Sequence, residues 1–301
     1  MQAYFNVLRP GNCLMTSVAV FIGALLVFGW NFTSEVAYPL FMAMAAAFLI
    51  AGAGNIVNDI ADLNADKINR PKRPIPCGKI SRRNAIAYAV ALFIAGNIMA
   101  LTINWLTLLI ALLNTAVLIG YSATLQHKVY VGNIAVSYMV ASSFLFGGAA
   151  LDHVFLPLII SAMAFFANLA REIVKDLEDM EGDKFNFIRR VKREIKKRVS
   201  KIAERFNIKN GKPVLSYDPR IALIGATTSL MMSVIISPIP YTMGILKLPY
   251  LLFVVPADIV MLLAVAQVLA TTSKKSLAKA SNLIKIGMLL GLFSFIAGVL
   301  F

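Results

Sequence analysis

The sequence predicts an all-α polytopic membrane protein with nine transmembrane helices. Of its 301 residues, 59% are hydrophobic and only 15% are charged, and the mean hydropathy is +0.76. Soluble domains are roughly 45–50% apolar and 25% charged, so this chain has too few polar residues to cover a water-facing surface. The composition therefore excludes a soluble enzyme, a disordered chain and a secreted domain held together by disulfides.

The nine predicted helices correspond to nine long apolar runs, since a membrane helix needs about 20 predominantly apolar residues. The runs cover residues 13–30, 36–57, 84–102, 105–121, 131–150, 154–174, 221–238, 249–271 and 282–301. They lack the two-residue alternation that is typical of outer-membrane barrel strands. The first run lacks the small-residue cleavage site of a signal peptide, so we expect it to remain as a membrane helix.

Basic residues predict the orientation in the cell membrane. If the N-terminus is cytoplasmic, every Lys and Arg except Lys247 lies in or next to a cytoplasmic segment, as the positive-inside rule requires. We therefore expect the N-terminus and any charged site on the cytoplasmic side and the C-terminus outside. The same distribution accounts for the net charge of +14 without a nucleic-acid partner, for which the basic stretches lack base-reading and stacking residues.

An internal repeat divides the chain. Residues 55–67 and 172–184 align without gaps and share six identities, which include three aspartates in each segment. Both segments follow a predicted helix on the inner face. We therefore expect two four-helix halves, about 1–128 and 129–271, and a ninth helix that completes a single domain over 1–301. Repeats of this kind place a shared site at their interface.

The repeated aspartates have the spacing of a metal site. They stand at positions i, i+3 and i+7, which share one face of a helix. The six are Asp59, Asp62, Asp66, Asp176, Asp179 and Asp183. So many carboxylates would repel one another, and Mg²⁺ would relieve the repulsion because it takes oxygen ligands and commonly joins carboxylates to substrate phosphates. Solvated acidic helix ends, an ion-coupled membrane transporter and a non-catalytic membrane scaffold are the alternatives.

These motifs resemble those of the UbiA superfamily of intramembrane prenyltransferases, and the resemblance covers nearly the whole chain. The NDxxDxxxD sequence at 58–66 is similar to the first acidic motif of the family, and DxxDxxxD at 176–183 is similar to the second. Tyr121 with Lys128 resembles the inner loop of the family, with a longer gap, and LRPxN at 8–12 resembles the segment before its first helix.

Two further stretches, 67–78 and 171–183, resemble the branch of the superfamily that acts in archaeal ether-lipid biosynthesis. The resemblance implies that geranylgeranyl diphosphate donates its chain to the hydroxyl of geranylgeranylglyceryl phosphate among membrane lipids. Digeranylgeranylglyceryl phosphate and diphosphate would be formed. The Arg-Pro-x-Arg-Pro element at 70–74 also occurs in relatives that act on quinone precursors, so an aromatic acceptor is the alternative. The sequence makes no prediction of the oligomeric state.

The resemblance also implies roles for individual residues. The six aspartates would hold Mg²⁺, and Asn58, Arg70 and Lys128 would contact the diphosphate. Tyr121 would either stabilise a carbocation through its ring or lie at the membrane interface. A carboxylate of the second motif or Glu172 is the candidate base. Because the acceptor carries a phosphate, a second basic cluster is needed. The predicted substrate-binding residues are Arg9, Asn12, Asn55, Arg70, Lys72, Arg73, Arg171, Glu172 and Lys175.

Two features have no role in that scheme. Asp258 lies in the middle of the eighth predicted helix, where a lone carboxylate costs roughly 2.5–3.5 kcal/mol on insertion scales. It would either steer the carbocation or form a hydrogen bond to a neighbouring helix. Residues 185–217 have apolar residues three and four apart among Lys and Arg, which predicts a basic amphipathic insertion that lies on the inner leaflet or covers the site as a lid.

Overall fold

In the computed structural model, residues 2–125, 130–198, 218–270 and 273–301 are described, with the side chains of 180–198 and of Pro219 left out. Twelve helices make up most of these ranges. They are α1 (Gln2–Val7), α2 (Pro10–Phe28), α3 (Ser34–Ala61), α4 (Leu63–Asn69), α5 (Arg82–Leu101), α6 (Trp105–Ala123), α7 (Val131–Ala149), α8 (Phe155–Arg198), α9 (Pro219–Ile236), α10 (Ile239–Thr242), α11 (Leu248–Ala270) and α12 (Lys274–Leu300).

Nine segments of the described chain are long and apolar enough to cross a membrane, which confirms the predicted number. They are α2, α3, α5, α6, α7, the first part of α8 (Phe155–Asp179), α9 with α10 (Arg220–Thr242), α11 and α12. Many of their large apolar side chains are exposed on the surface of the bundle. Such a surface suits a hydrocarbon solvent, so the protein is a multi-pass membrane protein.

Two helices extend beyond the predicted apolar runs by two turns or more. α12 begins at Lys274, about two turns before the predicted start, because the hydroxyl of Ser273 accepts a hydrogen bond from the backbone N–H of Ser276 and caps the helix. α8 continues without a break to Arg198. The first part of the predicted basic insertion, 185–198, is therefore a continuation of a membrane helix, and 199–217 lies outside the described residues.

Helices α2 and α7 meet backbone to backbone. A Cβ atom on Gly23 of α2 would lie 2.0 Å from the carbonyl oxygen of Phe144, and one on Gly147 of α7 would lie 1.9 Å from the carbonyl oxygen of Val20. Each helix thus places a glycine against the other's backbone, which is how small residues bring membrane helices close together. This α2–α7 seam joins the two predicted halves of the chain.

The other helices pack on either side of the seam. α3, α5 and α6 contact one another, α3 also contacts α2, and these helices bury one apolar cluster. α8, α9, α11 and α12 form a second group around another cluster. The seam helices link the two groups, since α2 contacts α3, α8 and α12 and α7 contacts α3, α6 and α8. Successive crossings alternate in direction, so the second and the sixth, α3 and α8, run in the same direction, and their acidic ends lie on the same side of the bundle.

Candidate active site

The first acidic motif lies where α3 ends. Asp59 is in the last turns of α3, Asp62 is the junction residue with φ −84° and ψ 6°, and Asp66 is in α4. Asp59 is 2% exposed and Asp66 is 6% exposed. The amide of Asn58 donates a hydrogen bond to a carboxylate oxygen of Asp62 at 3.4 Å. Because the chain bends between α3 and α4, Asp59 and Asp66 direct their carboxylates toward the same place.

Two arginines occupy that place. Nη1 of Arg73 donates to Oδ1 of Asp59 at 2.9 Å and to Oδ2 of Asp66 at 2.5 Å. Nη2 of Arg9 donates to the same Oδ1 of Asp59. Buried carboxylates need such partners, because a buried charge without compensation is strongly destabilising. The first motif is thus held by cations from two different segments.

The position of each arginine follows from its local sequence. Arg9 has φ 55° and ψ 65°, in the left-handed region that few residues other than glycine adopt. Pro10 disfavours the right-handed helical region for the residue before it, so α1 ends before Arg9 and α2 begins at Pro10. Asn55 of α3 donates to the carbonyl oxygen of Leu8 at 2.8 Å and fixes this turn. Asn55, predicted to bind substrate, therefore acts on the turn that aims the Arg9 side chain.

Arg73 lies in the loop between α4 and α5, and apolar anchors hold that loop. Ile75 and Ile80 are 5% and 2% exposed and belong to the same cluster as α3 and α5. The backbone N–H of Cys77 donates to the carbonyl oxygen of Arg73 at 3.0 Å. A loop pinned on its C-terminal side in this way keeps the Arg73 guanidinium over the first motif.

The second motif is carried by α8. The amide of Asn133, on α7, donates to Oδ2 of Asp176 at 2.9 Å. Asp179 is exposed, and Asp183 lies on the α8 backbone with its side chain outside the described set. The guanidinium of Arg171 pairs with Glu172 and also donates to Oδ1 of Asn168 at 3.4 Å.

Tyr121 lies near carboxylates of both motifs. It lies in the last turn of α6, and its phenol is within electrostatic range of Glu172, Asp62 and Asp176. Carboxylates of both repeats therefore lie on the same side of the bundle as this hydroxyl group, which favours a site shared between the repeats. Among the side chains that the structure describes, no set of three or more His, Cys, Asp or Glu is arranged to hold a metal ion. The six-aspartate metal site thus stays a prediction.

A basic cavity of about 830 Å³ adjoins the first motif. Its walls are α1 and the segment 69–79, and its cationic lining residues are Arg70, Lys72, Arg73 and Lys79. Gln2, Asn6 and Asn69 add amide groups, and the lining contains no acidic side chain. Positive charge in a concave surface attracts anions.

Two apolar cavities lie on either side of the α2–α7 seam. One, of about 510 Å³, is enclosed by α2, α3, α6 and α7 and has Asn12 and Asn55 among its few polar residues. The other, of about 470 Å³, is lined from α2, α7, α8, α9, α11 and α12. Met15, Val140 and Phe144 line both, so these three side chains separate the two spaces.

Asp258 forms a hydrogen bond to a neighbouring helix and also lies beside a cavity. The hydroxyl of Ser237 donates to Oδ2 of Asp258 at 2.6 Å, and the hydroxyl of Tyr250 donates to the carbonyl oxygen of Ser237 at 2.6 Å. This confirms a structural hydrogen bond between α9 and α11. Asp258 also lines the cavity of about 470 Å³, so its carboxylate is next to space that a ligand could fill.

Two of the predicted site residues, Lys175 and Lys128, have no described contact in the site. Lys175 is exposed on α8, and Lys128 lies outside the described residues. The sequence did not point to Asn133, Asn168 and Lys285. Asn133 donates a hydrogen bond to Asp176, and Asn168 and Lys285 line the cavity of about 470 Å³. The available signal was an amide or ammonium inside a membrane helix, where polar side chains are often functional.

Comparison with known proteins identifies the family. The model of the UbiA prenyltransferase family matches residues 16–293. The chain belongs to the UbiA prenyltransferase family. The protein is therefore a membrane-embedded prenyltransferase, and the transporter and scaffold alternatives are wrong.

Among the relatives of this UbiA protein, digeranylgeranylglyceryl phosphate synthase of Methanopyrus kandleri is 36% identical over 300 residues, which is 100% of both chains. The protein of the same name from Methanosarcina barkeri is 38% identical over 99% of both. A solved structure described as digeranylgeranylglyceryl phosphate synthase in membranes has a TM-score of 0.83 at 31% identity, over 99% of this chain and 98% of that one.

More distant UbiA structures share the fold. A UbiA homolog from Archaeoglobus fulgidus, solved with GPP and Mg²⁺ bound, has a TM-score of 0.60 at 19% identity, over 97% of this chain and 99% of that one. These likenesses confirm the predicted all-helical architecture with nine crossings.

Proposed function

We propose that the protein transfers the geranylgeranyl group of geranylgeranyl diphosphate to the free hydroxyl of geranylgeranylglyceryl phosphate. The products are digeranylgeranylglyceryl phosphate and diphosphate. Relatives that match over the full length and carry the synthase name support this reaction. The observation that carries the acceptor assignment is the basic cavity beside the first motif, because an aromatic acceptor has no phosphate group to occupy it.

The donor diphosphate binds with Mg²⁺ between the two acidic motifs. The donor set fits this ion, because it consists of carboxylates, the ligands that Mg²⁺ takes in proteins. The proposed ligands are Asp59, Asp62, Asp66, Asp176, Asp179 and Asp183. When bound, Mg²⁺ neutralises negative charge on the leaving diphosphate, where electrostatic stabilisation has its largest effect.

The side chains of the protein then bind and orient the reacting groups. Arg70 and Lys128 contact diphosphate oxygens, and Asn58 donates a hydrogen bond to one of them. The C1–O bond of the donor breaks with its electron pair on the diphosphate, and the acceptor hydroxyl oxygen bonds to C1. A carboxylate of the second motif or Glu172 accepts the hydroxyl proton. Tyr121 presents its ring to the allylic cation.

The acceptor phosphate binds in the basic cavity. Lys72 and Lys79 form no ion pair with any described side chain, so their charges are free for the acceptor phosphate. Arg73 lines this cavity and also contacts the first motif, so the cavity and the donor site share a wall. The apolar cavities on either side of the seam offer room for isoprenoid chains.

The proposed orientation places the N-terminus and this site in the cytoplasm and the C-terminus outside, as the basic residues predict. The proposed halves, 1–128 and 129–271, are supported by two contacts. α2, the first crossing, contacts α8, the sixth, and α3, the second crossing, contacts α7, the fifth. If the two halves are equivalent, each of these two contacts is the counterpart of the other.

The test is an assay with labelled geranylgeranyl diphosphate, Mg²⁺ and a panel of acceptors. Geranylgeranylglyceryl phosphate should be prenylated, whereas hydroxybenzoate and homogentisate should not. Asp59→Asn and Asp176→Asn should each lower diphosphate release by roughly a hundredfold or more, the range seen when one electrostatic contact is lost. Arg83→Gln, at an exposed position on α5, is the control. Prenylation of an aromatic acceptor in preference to the lipid phosphate would contradict the proposal.

A further inference from the structure

We propose that Arg73 is a built-in counter-ion that occupies the position of a divalent cation at the first motif, and that the metal therefore binds together with the diphosphate and not before it. This inference rests on the metal–diphosphate site of the proposed function. Arg73 is in this respect a positioning residue, since it acts on the carboxylates that would hold the metal.

The geometry depends on a single nitrogen atom. Nη1 of Arg73 is 2.9 Å from Oδ1 of Asp59 and 2.5 Å from Oδ2 of Asp66, so these oxygens are at most 5.4 Å apart (2.9 plus 2.5). Mg²⁺ binds oxygen at roughly 2.0–2.1 Å, so the two oxygens would have to come within about 4.2 Å of each other to share one ion. The guanidinium lies between these two oxygens, so an ion that binds both of them has to displace it.

Burial makes this contact costly to break without a replacement. The side chains of Asp59, Asp66 and Arg73 are 2%, 9% and 18% exposed, so water cannot replace the guanidinium effectively. Arg9 donates to the same oxygen of Asp59. A metal ion alone has to displace Arg73 and remain next to Arg9, and both repel it.

An anion changes this balance. Arg73 also lines the basic cavity of about 830 Å³, so its side chain has space to move toward a phosphate there. A diphosphate attracts the guanidinium and at the same time brings charge that favours the metal. The exchange replaces one cation by another at the carboxylates while the arginine gains an anionic partner.

The experiment measures metal binding to the substrate-free, full-length protein. Mn²⁺ alone is titrated into purified protein, and the free ion is followed by its EPR signal. Wild type should bind Mn²⁺ weakly, and Arg73→Gln should bind it roughly tenfold more tightly or better, which is the effect of removing about one charge-assisted hydrogen bond. Arg73→Lys, which keeps the charge, should resemble wild type. Arg83→Gln, an exposed arginine on α5, should also leave Mn²⁺ affinity unchanged.

Thermal unfolding supplies a second measurement. Without metal, Arg73→Gln should unfold at a lower temperature than wild type, because its carboxylates have lost their partner, and Mn²⁺ should restore much of the difference. Wild type should respond little to Mn²⁺ alone. Equal Mn²⁺ affinity in wild type and Arg73→Gln would overturn the inference. A different acceptor preference in the transfer assay would overturn the proposed function and leave these binding results unaffected.

Discussion

The α2–α7 seam makes a quantitative prediction for Gly147→Ala. The added Cβ would lie 1.9 Å from the carbonyl oxygen of Val20 and 2.8 Å from the backbone nitrogen of Ala24. Both are backbone atoms in the middle of α2, so they cannot rotate aside as a side chain would. Overpacking of a well-packed interior costs roughly 1–3 kcal/mol, and we expect Gly147→Ala to reach at least the upper end, about 3 kcal/mol.

The matched control is Gly291→Ala on α12, where an added Cβ has no other atom within 4 Å. This change should be neutral or stabilising by about 0.5–1 kcal/mol, since alanine is the better helix former. The assay is thermal unfolding of both variants in the same detergent. If Gly147→Ala is as stable as Gly291→Ala, then α2 and α7 do not meet backbone to backbone and the packing argument is wrong.

Three further predictions concern the site. Asn133→Ala removes the amide that holds a second-motif carboxylate and should lower kcat roughly tenfold or more with an unchanged circular dichroism spectrum; an unchanged kcat would count against this role. Tyr121→Phe should keep most of the transfer activity and Tyr121→Leu should lose it, because the proposed role belongs to the aromatic ring. If both variants lose the same transfer activity, the role belongs to the hydroxyl group. Lys79→Gln should raise the KM for geranylgeranylglyceryl phosphate about fivefold, because one surface point charge is lost, and should leave the KM for geranylgeranyl diphosphate unchanged. If only the KM for geranylgeranyl diphosphate rises, the cavity binds the donor and not the acceptor.

Hydropathy and spacing were sufficient for the larger part of the fold. All nine crossings were predictable because membrane helices must satisfy their backbone groups internally and be apolar over a fixed length. The ends were less predictable. The first turns of α12 carry Lys274 and Lys275, so hydropathy placed the start of the ninth run at residue 282. The cap at Ser273 nevertheless starts the helix at Lys274.

The candidate site was predictable as a set of residues and not as a set of contacts. The i, i+3, i+7 spacing identified the aspartates, because helical periodicity acts over short distances along the chain. The partners of Asp59 are 50 and 14 residues away, in a turn and a loop whose positions depend on tertiary packing. For the same reason Asn133 gave no local signal of its contact with Asp176.

Helix α8 is longer than a bilayer is thick. Its 44 residues span about 66 Å at 1.5 Å per residue, whereas the hydrocarbon core of a bilayer is about 30 Å thick. One continuous helix therefore carries Asp176 near its midpoint and extends beyond the membrane. The crossing itself ends at Asp179, so the second motif lies where this helix leaves the hydrocarbon, on the same continuous element as the basic residues of 189–198.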